Sequence, residues 1–201
     1  MLEAESDISV VGAVSGGIEV INKTLELRPD VIVMDIPIPH CGGLEAMVTI
    51  REKYTGAKVL ILTVSETDDN LFQALMFGAQ GYLLKSANIT EVVEAVRRTA
   101  GGETSLSPAF AARLIAEFYN GQKKEIGMST MEAEVLQLLG KGLTNTGIAS
   151  QLFISESMVK ACLRSLLDKV HQENRAEAIA YVAQHRLRNT HHGNIGILSS
   201  V

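Results

Sequence analysis

Three polar residues close three apolar runs, and their types suit one chemistry. Asp35 ends VIVMD, Thr63 ends KVLILT and Lys85 ends GYLLK. A carboxylate can act as a nucleophile toward a phosphoryl group, an ammonium stabilises charge on the phosphoryl oxygens, and a hydroxyl donates to one of them. Taken singly, each has an ordinary reading; an aspartate before a turn commonly caps or turns the chain. Together they are a candidate phosphoryl-acceptor site, provided one sheet edge gathers them.

That edge needs a parallel sheet. Residues 31–39, VIVMDIPIP, begin as an unbroken apolar run that suits a strand buried on both faces, although so short a run is also compatible with a buried helix. Pro37 and Pro39 then forbid a central strand or a helix interior. Residues 8–14, ISVVGAV, read as an earlier strand, with Gly16-Gly17 as its turn. Ile18, Ile21 and Leu25 recur at helical spacing before Arg28-Pro29. Leu44, Met47 and Ile50 mark a second helix, and Leu71, Leu75 and Met76 a third. Residues 58–63 and 81–85 are further core strands, and Asn88 with Glu91 forms a capping box for a helix over 89–100. Strands alternating with helices at this spacing predict a parallel sheet with helices on both faces.

The remainder reads differently. Residues 101–108, GGETSLSP, are a cluster of breakers, 109–119 look helical, and 120–127 are a polar connector. Ser129 and Glu132 form a second capping box, opening a helix with Val135, Leu138 and Leu139 on one face. Thr144 caps a short helix containing Ile148 and Leu152. Ser155 caps a longer one, expected to run to about Val170, with Val159, Leu163, Leu166 and Val170 as its stripe. Lys160 and Arg164 lie one turn apart, turned outward by that stripe. Two short helices, the second exposing cations, are the parts of a helix-turn-helix. An amphipathic helix with a solvated basic face has the same local pattern.

Composition bounds the alternatives. With 46% hydrophobic and 20% charged residues in 201, the chain is globular in type and long enough for one large or two small domains. The net charge of −5 is uneven: residues 1–122 carry −7 and residues 123–201 carry +2. The second part can therefore meet nucleic acid without being strongly basic. No apolar run approaches the roughly 20 residues of a membrane helix, and MLEAESD does not read as a signal peptide. Cys41 and Cys162 lie far apart without metal-ligand spacing, which fits a reducing cytoplasm. His191-His192 lack a third ligand at useful spacing and read as a frayed tail, and Cys41 after His40 carries little weight as a nucleophile.

The stretches DIPIPHCGGLE, LTVSETDD and GAQGYLLKS resemble the receiver domain of bacterial two-component response regulators, over about residues 1–102. The resemblance implies an incomplete flavodoxin-like α/β fold, Asp35 as phosphoacceptor, Thr63 as switch hydroxyl, Tyr82 as switch aromatic and Lys85 as switch lysine. Receivers begin with a strand bearing an acidic pair that holds Mg²⁺, and here too few residues precede Asp35 to supply it. Either the strands over 8–14 and 31–34 pair directly, or another chain supplies a strand, or the chain starts late. Glu3, Glu5 and Asp7 read as solvated charge rather than as substitute ligands. Mg²⁺ at Asp35 would lack its usual acids, so no cofactor is expected and phosphorylation should be impaired.

The stretch from Met128 to Val170, followed by NRAEAIAY, resembles the LuxR-type helix-turn-helix. Joined to a receiver, this is the NarL/FixJ layout. It implies a small all-α DNA-binding domain whose Lys160, Ala161 and Arg164 face the major groove of double-stranded DNA, with phosphates, guanine edges and a thymine methyl within their chemistry. Met131, Gly147, Met158 and Cys162 depart from the residues usual in that family. Gly147, inside a short helix, should cost about 1 kcal/mol relative to alanine. The expected organisation is a receiver-like domain over 1–102, a linker and helix over 103–122, a helix-turn-helix domain over 123–189 and a tail over 190–201. The expected function is non-enzymatic: a cytoplasmic, homodimeric transcription regulator, with a sensor histidine kinase as its phosphodonor. The rivals are a pseudo-receiver acting through protein contacts and a phosphoryl relay whose DNA binding has decayed.

Overall fold

A computed structural model describes residues 2–36, 42–64, 69–104, 106–119 and 127–191. Pro37, Pro39, His40, Cys41 and His192 lie outside the described residues.

The three apolar runs form strands, β1 (Val31–Asp35), β2 (Lys58–Thr63) and β3 (Gly81–Leu84), parallel and in the order β1-β2-β3. Asp35 stands opposite Leu62, and Thr63 opposite Leu84, so the carboxyl ends are nearly level. Helices α1 (Gly17–Leu27), α2 (Gly43–Lys53), α3 (Asp69–Phe77) and α4 (Ile89–Ala100) connect and follow them. Alternation along the strands divides the sheet between two layers. Ile32, Met34, Val59 and Ile61 join the buried cluster that contains Leu44, Met47, Leu71 and Leu75 of α2 and α3. Leu60 is buried outside that cluster, as is Val93 of α4. Arg28, left-handed at φ 46°, closes α1, and the Asn88–Glu91 capping box opens α4 with both of its hydrogen bonds made.

The expected strand over 8–14 is absent. That segment has no regular structure and is largely exposed, Val10 and Val11 included. A strand needs a ladder partner for its amides, and among the described residues β1 pairs only with β2. Val33 is left 37% exposed on the α4 side of the sheet. Glu5 and Asp7 are open to solvent, as read from sequence, and are also paired. Both carboxylates accept hydrogen bonds from Arg97 of α4, at 2.7 Å and at 2.6 and 2.8 Å, tying the start of the chain to the last turn of that helix.

Beyond the breakers come α5 (Pro108–Tyr119), α6 (Thr130–Gly140), α7 (Asn145–Leu152) and α8 (Glu156–His191). The caps of α6 and α7 are those read from sequence, with Ser129 Oγ accepting from the Glu132 amide and Thr144 Oγ1 from the Gly147 amide. Gly147 therefore sits in the first turn, where its amide is capped by a side chain, and its cost should fall below the helix-interior figure. Helix α8 is the larger correction. It continues for 36 residues instead of ending near Val170. No glycine or proline occurs between Gly147 and Gly193 to stop it. Asn174, buried mid-helix, turns its Nδ2 back to the Val170 carbonyl at 2.7 Å rather than capping a new helix.

Its length lets α8 pack against the helix-turn-helix helices at one end and the receiver helices farther along. Val159, Leu163, Leu166 and Val170 are buried with Val135, Leu138 and Leu139 of α6 and Ile148 of α7. Farther along, Tyr181 meets Phe77 of α3 with ring centroids 5.5 Å apart. Packing of α1, α3 and α8 against α2 keeps it buried continuously over 43–50, Glu45, Val48 and Thr49 included. Helix α5 packs on α6 and also reaches α3: Phe110 packs on Phe72 at 5.2 Å, and Arg113 lies 4.0 Å over the Phe72 ring while pairing with Asp69.

Glu132 locks the helix-turn-helix. It is buried, accepts from the Ser129 amide at 2.7 Å, from Ser165 at 2.8 Å, and pairs with Lys169 at 2.6 Å. Burial alone would raise its pKa, but Lys169 and the serine donors outweigh it and hold the carboxyl at about 2. A lowered carboxylate pKa stabilises the fold above the unfolded value near 4.5 and ceases to do so as pH falls toward 2. Glu132→Gln should cost about 2 kcal/mol at neutral pH, the half-exposed Lys169 moderating the loss. Thermal melts should then differ between wild type and variant at pH 7 and converge as pH approaches 2.

Candidate functional site

The strand ends do gather the residues read from sequence. Asp35 and Lys85 meet directly, Lys85 Nζ lying 2.5 Å from Asp35 Oδ2. Thr63 is buried beside them in register, and its carbonyl accepts the Lys85 amide at 2.7 Å, fixing where the lysine leaves the strand. The Asp35 and Lys85 side chains are partly open to solvent, at 31% and 39%. Asp35 Oδ1 is buried and makes no hydrogen bond among the described residues. Tyr82, half-buried on β3 opposite Ile61, lines a groove of about 450 Å³ with Arg98, Thr99 and Thr104.

Close backbone approach shapes the rim. Gly43 donates its amide to the Ile36 carbonyl at 2.9 Å, and a Cβ at Gly43 would lie 2.5 Å from the Asp35 carbonyl. The helix is capped from within, Glu45 accepting the Gly42 amide at 2.6 Å. Sequence reading singles out Gly42-Gly43 only as a break; the contact with Asp35 depends on folding.

A divalent cation does not fit the described part of this edge. Among the described residues Asp35 is the carboxylate there, already paired with Lys85, while Glu5 and Asp7 are engaged by Arg97 on α4. Among the described residues no group of three or more histidine, cysteine or acidic side chains is placed to hold a metal.

The second candidate site is the amino-terminal part of α8. Ser155 Oγ accepts the Met158 amide at 3.2 Å, as expected of its cap. Ala161 and Arg164 are exposed, and Lys160 is half-buried. The outward direction read from the stripe holds, but both cations meet the segment after α4. Lys160 Nζ lies 3.3 Å from Glu103 Oε2, and the Arg164 guanidinium is 3.2 Å from where a Gly102 Cβ would stand. Gly102 has a φ of +76°, so its left-handed backbone and the nearby guanidinium both favour glycine. Phe153, left-handed at φ 55° and 95% exposed, projects from the turn before this helix.

A sheet of three parallel strands with an Asp–Lys pair at its edge, joined to a capped helix-turn-helix, defines a receiver-plus-reader architecture. The response regulator receiver domain model matches residues 1–97, and the model of bacterial regulatory proteins of the luxR family matches residues 127–182. An uncharacterized transcriptional regulatory protein of Bacillus subtilis (strain 168), YxjL, is 34% identical over 187 residues, covering 90% of this chain and 86% of its own length. The response regulator protein VraR of Staphylococcus aureus is 35% identical over 190 residues, covering 92% and 89%. Among solved structures, the response regulator ChrA of a heme-sensing two-component system is 35% identical over 92% of this chain and 89% of that one, with a TM-score of 0.45. The chain belongs to the two-component response regulators that carry a receiver and a LuxR-type DNA-binding domain. It is a transcriptional regulator by family. Among its described residues no helix is long and apolar enough to cross a membrane.

Proposed function

We propose that the chain binds double-stranded DNA through Lys160, Ala161 and Arg164, acting in the cytoplasm as a homodimer on paired half-sites. The supporting observation is the outer face of α8, where two cations one turn apart flank an exposed alanine on a capped helix. Phosphates or guanine edges suit the cations, and a thymine methyl suits the alanine. Glu103 holds Lys160 in this conformation, so a DNA phosphate must displace it before the helix reads a groove.

The receiver half acts as a regulatory surface rather than an enzyme, and Asp35 accepts a phosphoryl group poorly. The acids near the start of the chain, Glu5 and Asp7, are spent on Arg97, and phosphoryl transfer leans on a metal to offset developing charge. Thr63 and Lys85 keep their structural positions at the strand ends, and Tyr82 lines the neighbouring groove. A sensor histidine kinase is the partner class that a receiver surface of this kind would meet. Intact mass after incubation with acetyl phosphate and Mg²⁺ tests this reading, with Asp35→Asn as the control. No mass gain is expected in either protein. A gain confined to the wild type would restore Asp35 as a working phosphoacceptor.

A further inference from the structure

Where α8 crosses the receiver helices, it buries a histidine that can carry only one proton comfortably. His171 Nε2 lies 2.8 Å from the Leu75 carbonyl of α3, so this nitrogen carries the hydrogen and donates it. Nδ1 is buried without a hydrogen-bond partner among the described residues. A second proton would place a buried positive charge beside the Arg51 cation, a cost that the neighbouring carbonyls of Leu75 and Ala79 only partly offset.

From α2 comes Arg51, partly buried, its pKa lowered by that burial. From α3 come backbone carbonyls, Leu75 and then Ala79 just beyond the helix, and these favour the charged imidazole. From α8 itself come Asp168, which supports the charge of Arg51, and Arg175, which opposes it. Gly78 seals the seam: its φ is +130°, and a Cβ there would lie 2.3 Å from Arg51 Cδ. Farther along α8, Ala178 and Val182 are buried, and Tyr181 meets Phe77 and feels the charge of Glu45 of α2.

We propose that this seam is a proton-released clasp: protonating His171 parts α8 from α2 and α3 and frees the Lys160 end of the same helix from Glu103. The clasp stands on the seam alone; its consequence for DNA rests on the proposed DNA-binding role of α8. Burial, then Arg51, push the docked imidazole down to about 3, against an ordinary 6.5. A pKa lowered in the docked state means that undocking takes up a proton. Docking is therefore at full strength above 6.5 and weakens as pH falls below it. Between pH 7.5 and 5.0 the docking constant should drop about 30-fold.

The test uses the full chain with Cys41 and Cys162 replaced by serine and one reporter cysteine added. Ala178→Cys reports opening of the seam, and Ala57→Cys, before β2, reports unfolding of the sheet. A pyridyl disulfide labels each thiol, and the rate relative to a short cysteine peptide at the same pH gives the opening constant. At position 178 protection should fall about 30-fold from pH 7.5 to 5.0, with position 57 remaining the better protected. His171→Gln, which can still donate to Leu75 and does not titrate, should remove that dependence. Unchanged protection at 178 in the wild type, the same fall in His171→Gln, or equal protection at 178 and 57 would each overturn the clasp. Direct NMR titration of the wild-type His171 ring is independent of any variant: a midpoint far below 6.5 is expected, and one near 6.5 overturns it. A mixed-sequence duplex gives the separate arm. Acid-induced binding in wild type beyond that of His171→Gln is expected. A seam that opens without any duplex binding would remove the DNA reading and leave the clasp standing.

Discussion

Replacing Lys160 and Arg164 together by alanine should weaken duplex binding about 100-fold under the proposed role of α8, since a cation that meets a base edge contributes roughly 1–3 kcal/mol. Both lie on the outer side of α8, while Val159, Leu163 and Leu166 hold the core, so circular dichroism and melting should barely change. The salt dependence separates two roles. If both cations meet phosphates, the slope of log affinity against log salt should fall in magnitude by about 2. If one reads a guanine edge, the slope should change by less and sequence discrimination should decline. Fluorescence anisotropy across a salt series distinguishes these outcomes, and unchanged affinity in the double variant would remove α8 as the reading element.

Gly43→Ala is expected to be the most damaging small change at the sheet edge. Its Cβ would lie 2.5 Å from the Asp35 carbonyl and 2.8 Å from the Ile36 carbonyl, and neither backbone atom can rotate away. Helix α2 must retreat, and α2 is buried along most of its length between the sheet and α8. Overpacking of this kind typically costs about 1–3 kcal/mol, and a backbone clash belongs at the upper end. A urea midpoint lowered accordingly, with a displaced Asp35–Lys85 pair, would confirm that α2 sets the rim. An unaltered midpoint would show that the rim yields more easily than its burial implies.

Elements with local signals are legible before folding. The ends of β2, α4, α6 and α7 follow from apolar runs and caps, each decided by residues within a few positions. Residues 8–14 are not legible in the same way, because ISVVGAV has the composition of a strand but no ladder partner among the described residues. Helix α8 outruns its sequence-based end near Val170, where no breaker stands, and Asn174 illustrates the difficulty: the same side chain can cap a new helix or bond back into an old one. At the candidate sites, residue types and directions are visible in the sequence, whereas partners are not. Lys160 and Glu103 are 57 residues apart, and no periodicity connects them. His171 carries no sequence signal at all, since its role depends on a carbonyl of α3 and an arginine of α2.

The continuity of α8 has a mechanical consequence. A helix of 36 residues is a rod about 54 Å long. Lys160 lies 11 residues from His171, a lever arm of about 16 Å from the point where the rod rests on α3. A tilt of about 10° at that fulcrum would carry the lysine about 3 Å, enough to break its contact with Glu103. The receiver helices and the Lys160 end of α8 thus share one stiff beam, so small rotations at one end become displacements of hydrogen-bond size at the other.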